Sequence, residues 1–66
     1  MSNLARWRRI ALERAVTAEM ATVEFEEAKK SGDPDKIAVA NRYFVQANRM
    51  LVAANVKLGE LAHGAA

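Results

Sequence analysis

The stretch that decides the fold runs from position 40 to 58. Written in sevens it reads Ala40-Asn41-Arg42-Tyr43-Phe44-Val45-Gln46, Ala47-Asn48-Arg49-Met50-Leu51-Val52-Ala53, Ala54-Asn55-Val56-Lys57-Leu58. Ala recurs at 40, 47 and 54, and Asn at 41, 48 and 55. A large apolar residue recurs at 37, 44, 51 and 58. Seven residues make two helical turns, so each set stacks along one side of a single helix. Ile37, Phe44, Leu51 and Leu58 fit one core position of a heptad, and Ala40, Ala47, Ala54 and Leu61 fit the other. Large residues alternating with Ala form a seam on which another helix can lie close.

Upstream, Leu4, Ala11, Ala18 and Phe25 repeat the same spacing. Nothing from Leu4 to Lys30 breaks a helix, and Ser2 or Asn3 can cap its start. Ser31-Gly32 ends it, with Gly32 suited to the left-handed position after a helix. Asp33 then caps a second helix that begins with Pro34. The expectation is an all-α antiparallel hairpin forming one domain over residues 1–66. Helix one covers about 3–30, the turn 31–34, helix two about 34–62, and a frayed tail 63–66. Contacting residues should have numbers summing to about 66. That sets Phe25 beside Ala40, Ala18 beside Ala47, Ala11 beside Ala54, and Leu4 near Leu61.

Composition agrees with this plan. The 66 residues are 52% hydrophobic, with three Gly, one Pro and no Cys. A chain this short struggles to bury enough surface alone, and without Cys it has no disulfide staple. Tight helix packing and self-association remain as sources of stability. The absence of Cys suits a cytoplasmic setting, which is the expected localisation. No apolar run approaches the roughly 20 residues that span a bilayer, so no membrane partner is expected.

A second apolar stripe is left over on each helix. Helix one carries Leu12, Val16, Met20 and Val23 away from its first stripe, and helix two carries Val45 and Val52 behind its seam. A helix apolar on two sides expects two neighbours. These six residues are therefore the expected interface of a homodimer, most simply two hairpins closing a four-helix bundle about a two-fold axis.

Candidate binding residues fall into two groups. Arg42 and Arg49 lie one heptad apart, with Asn41 and Asn48 beside them and Tyr43 at the border of the seam. Such a face suits docking on a larger protein, because Arg forks bind carboxylates and aromatics anchor interfaces. The alternative is a basic end made of Arg6, Trp7, Arg8 and Arg9, joined by the Arg42 and Arg49 stripe of helix two, where Arg would meet nucleic-acid phosphates and Trp would stack on a base. The plainer reading of Trp7 is packing near Leu58 and Leu61. Arg14 lies on the otherwise apolar side and calls for an acid, with Glu60, or Glu13 or Glu24 of a neighbouring chain, as choices.

No catalytic constellation, metal-ligand spacing or phosphate loop is present in the sequence. The single His, His63, falls in the expected tail. No enzyme activity, metal or cofactor is therefore expected. The plan resembles the small hairpin-dimer regulators such as the plasmid-encoded Rop protein, which binds paired RNA loops. That likeness covers the helix–turn–helix arrangement and the Ala-rich seam, and carries no residue across. The expectation is a non-enzymatic regulator or inhibitor that docks on a larger protein, of a size class common in phages and mobile elements. Nucleic-acid binding is the alternative.

Overall fold

The computed structural model describes residues 2–64. Two helices account for nearly all of them: α1 (Asn3–Ser31) and α2 (Pro34–Gly64). They pack against each other along their length, and no strand occurs among the described residues.

Both ends of α1 and the start of α2 are pinned by residues of the expected kind. Ser2 stands in extended conformation before α1, and its Oγ accepts a hydrogen bond from the Ala5 N–H at 3.1 Å. That satisfies one of the free donors at a helix start. At the other end Gly32 adopts φ 70°, ψ 4°, and its N–H donates to the Lys29 carbonyl at 3.3 Å. A side chain at this φ would be strained, which is why glycine stands there. Asp33 opens α2 at once: its Oδ1 accepts from the Asp35 N–H at 3.0 Å and from the Lys36 N–H at 3.4 Å. Ser31 ties the two ends together. Its hydroxyl donates to the Ala28 carbonyl at 2.6 Å and accepts from the Asp33 N–H at 3.2 Å. A connection this short turns the chain back on itself.

The seam is built from alanine. The buried residues are Ala11, Ala18 and Ala21 on α1 and Ala47 and Ala54 on α2. Ala18, Ala21 and Ala47 form one cluster, with Leu51 packed against it. Ala21, fully buried at 0% exposure, was not among the expected pairs. It sits one turn after Ala18 on the same side, so the seam is wider than a single heptad row.

Near the turn the structure adds a contact that was not among the expected pairs. The Phe25 ring meets Phe44, one turn beyond Ala40, with centroids 5.2 Å apart and planes tilted by 33°. A long aromatic side chain reaches a turn further along the partner helix than an alanine does. Two rings at this separation gain about 0.5–1.5 kcal/mol beyond their burial. Lys29 Nζ lies over the Phe25 ring, 4.8 Å from its centre, and also pairs with Glu26 at 3.0 Å.

Helix α2 also runs further than expected. His63 and Gly64 belong to it, while Ala65 and Ala66 of the expected tail lie outside the described residues. Gly59 is accommodated within the helix with open space around its Cα.

The resulting shape is a thin rod, 50 × 15 × 12 Å across its Cα atoms, with a radius of gyration of 15.0 Å. A compact domain of this length would have about 11 Å.

Candidate docking surfaces

Two helices enclose one seam and expose everything else, so the surface has to be sorted by side. The hairpin has two broad faces, one on each side of the seam, and two outer backs, one on each helix. The first broad face, here called the Asn face, bears a shallow groove lined by Arg8, Leu12, Ala15, Leu51, Asn55 and Leu58. Asn41 and Asn48 share this side with Asn55 by the seven-residue spacing. The opposite face, the Tyr face, bears a groove with Trp7, Ile10, Arg14, Met50 and Ala53. Nearer the turn it has a second groove with Glu24, Lys36, Val39, Ala40 and Tyr43.

About half of the large apolar residues are half-buried along the seam, Leu51 and Phe44 among them, and the other half lie outside it. Leu12 is 69% exposed, Val39 65% and Val52 60%, and Val16, Met20, Val23 and Val56 are also exposed. Tyr43, Val45 and Met50 are at the border between half-buried and exposed. No large side chain among the described residues is fully buried. All six residues expected at a dimer interface are thus uncovered within one chain. They do not share one side, however. Leu12 borders the Asn groove. Val45 and Val52 form a patch with Phe44 on α2, edged by Asn48 and Arg49. Val16, Met20 and Val23 run along the back of α1 between Glu19 and Glu24.

The five expected docking residues are likewise distributed around α2. Asn41 and Asn48 belong to the Asn face and Tyr43 to the Tyr face. Arg42 and Arg49 form a ridge on the outer back between them, one heptad apart. Arg42, Tyr43 and Arg49 are neighbours on a continuous exposed surface, joined by Val39, Gln46 and Met50 at helical spacing. Val39 had no part in the sequence reading, because it falls on neither apolar row. Only its 65% exposure beside Tyr43 draws it in. Asn48 spends one amide donor on its own helix: Nδ2 donates to the Phe44 carbonyl at 2.8 Å.

The basic end divides in the same way. Arg6, Arg8 and Arg9 are exposed, but successive residues project about 100° apart, so they fan around the helix rather than forming one basic face. Trp7 is half-buried on the Tyr face with Met50, Ala53 and Ala54. Leu58, one of its two expected neighbours, opens onto the opposite groove. Arg14 does not find an acid. It is half-buried at the rim of the Trp7 groove, and its Nη1 meets the Met50 Sδ at 3.7 Å. Solvent access at the rim removes the need for a countercharge that full burial would impose. The one ion pair among the described residues is Glu26–Lys29, between exposed side chains.

Among the described residues no group of three His, Asp or Glu side chains is placed to hold a metal ion. Among the same residues no helix is long and apolar enough to cross a membrane. No protein-family model matches the chain, and no curated protein or solved structure matches it.

Proposed function

We propose that this chain is a small non-enzymatic docking protein. It self-associates as a pair of hairpins in a four-helix bundle and lays a helical face on a larger protein, as a regulator or inhibitor. The observation that carries this reading is the inversion of side-chain size: among the described residues only alanines are fully enclosed, while ten large apolar side chains are exposed and the others only half-buried. A folded monomer of 7.3 kDa exposes about 4,200 Å², and this chain exposes 5010 Å². The hairpin buries roughly half of its unfolded surface, less than the ~60% of a stable 60-residue domain. Exposed apolar area on this scale supports a surface meant to be covered.

Covering the Asn face with a second copy leaves Arg42 and the Tyr side of α2 free. Arg42 and Tyr43, with Val39 and Met50, are then the docking surface: an aromatic and an Arg around an apolar centre, the residue types that dominate hot spots. The spread of Arg6, Arg8 and Arg9 around α1 and the half-burial of Trp7 give the nucleic-acid alternative no comparable surface.

The test compares capture of partners from an extract of the source organism by wild type, Arg42→Ala with Tyr43→Ala, and Arg8→Ala with Arg9→Ala. Equal helical content by circular dichroism is the control. The proposal expects specific protein partners to be lost with the first pair and kept with the second. Capture that survives the first pair and falls with the second, with a steep decline in added salt, would instead indicate phosphate contacts.

A further inference from the structure

Resting on the self-association proposed above, the charges along the Asn face choose between two ways of closing the dimer. On α1 the edge of this face carries Ala5, Leu12, Glu19 and Glu26 at seven-residue spacing. On α2 the edge carries Ala38, Val45, Val52 and Gly59, with Arg42 and Arg49 one row further out. A two-fold axis along the rod lays α1 of one copy on α2 of the other, with both turns at the same end. An axis across the rod lays α1 on α1 and α2 on α2, with the turns at opposite ends.

Levels along the rod follow from the seam. Ala18 and Ala47 share a cluster, and Arg14 reaches Met50, so residues whose numbers sum to about 66 lie at one height. An axis along the rod preserves height. Leu12 of one copy then meets Val52 and Val56 of the other, and Glu19 comes beside Arg49. An axis across the rod, with full overlap, sets Arg49 against its own symmetry mate and gives Glu19 no cation. It brings Glu26 to Arg8, but Glu26 is already held by Lys29 at 3.0 Å.

We propose that a second copy covers the Asn face with the two-fold axis along the rod, both turns at one end, and Glu19 paired with Arg49 across the interface. Three further observations fit this occupant. The face measures about 50 by 15 Å, close to the ~800 Å² that each partner gives to a stable interface. The Thr22 hydroxyl and one of the two Asn48 amide N–H donors on this face are satisfied by their own helices, by the Ala18 carbonyl at 2.8 Å and the Phe44 carbonyl at 2.8 Å, which lowers the cost of covering them. Gly59 offers open space where the edges approach.

The chain has no Cys, so a nitroxide on Lys30→Cys, an exposed position near the turn, reports one distance per dimer. With both turns at one end the labels lie within about 30 Å, given helix spacings of 8–10 Å. With turns at opposite ends they lie beyond about 40 Å at 1.5 Å per residue. The second arm is a charge swap. Glu19→Arg and Arg49→Glu should each weaken the dimer by about tenfold, since each turns two symmetric attractions into repulsions. The double variant should return to within about threefold of wild type. A dimer with labels beyond 40 Å, or a double variant as weak as its parents, overturns this arrangement and leaves self-association standing. A wild type that sediments as a monomer at high micromolar concentration overturns both.

Discussion

The seam and the outer faces of this hairpin are built from opposite materials. Inside, Ala18, Ala21 and Ala47 bring two backbones together with almost no side-chain volume between them. Outside, Leu12, Val16, Val39 and Val52 hold most of their surface in water. In a monomeric globular protein the two sets would be exchanged. The lesson is that the alanine seam sets the geometry of the hairpin, while the energy available from apolar burial lies in faces that one chain cannot cover. A Leu or Val side chain gains about 1.5–3 kcal/mol on full burial. For the ten exposed large apolar side chains, that gain is not realised within a single hairpin.

Filling the seam is the largest way to break this contrast. Ala21→Leu places a large side chain where the existing one is already fully buried, and should destabilise the hairpin by about 1–3 kcal/mol. Urea unfolding followed by circular dichroism measures it. A midpoint unchanged from wild type would mean that the helices do not meet closely at Ala21.

A smaller effect comes from the turn, which fixes how the seam is entered. Gly32 has φ 70°, so Gly32→Ala should cost about 1 kcal/mol. Asp33→Ala removes the acceptor for two backbone N–H groups and should also cost about 1 kcal/mol. The same urea experiment reads both, and a Gly32→Ala variant as stable as wild type would deny the left-handed turn.

The smallest intrinsic effect belongs to the outer face, and there it is the dependence on concentration that informs. In dilute protein Leu12→Ser should change stability by less than about 0.5 kcal/mol, because the side chain is exposed in the single hairpin. In concentrated protein the same change should lower the melting temperature clearly. Equal shifts at both concentrations would place Leu12 inside the hairpin's own core.

Much of the inner half of this contrast was legible in the sequence. Alanine at 11, 18, 47 and 54 repeats in register on two segments of matched length, and the stop and start signals between them stand together at 31–34. Heptad spacing says which side of a helix a residue occupies, and that was enough for the seam. It does not say how far a side chain reaches. Phe25 therefore also meets Phe44, a turn beyond its expected neighbour, and Ala21 joins the core although no partner had been assigned to it. Nor does spacing say where a helix stops when no breaker is present, and α2 carries on through His63.

The outer half was legible only in part. The surplus stripes could be read from periodicity, but their distribution could not. Leu12 and Val52 border one broad face, while Val16, Met20 and Val23 lie on the back of α1. Asn48 and Tyr43, five residues apart in one proposed surface, came to lie on opposite sides of the seam. Sides become distinguishable only once the partner helix defines them. Arg14 shows the same limit for charge: its position suggested burial, and the thinness of the rod left it at a solvent-lined rim beside Met50.

The most direct test of the claim that the outer apolar faces are covered by a second copy is the thermal melting of the wild type over a wide concentration range. Each tenfold rise in concentration adds about 1.4 kcal/mol to the stability of a dimer. For a chain of this size that is several degrees in melting temperature. The account expects the helical signal to melt several degrees higher for every tenfold increase in concentration. A melting temperature that stays constant from low micromolar to millimolar protein would show a self-sufficient single hairpin, and would contradict it.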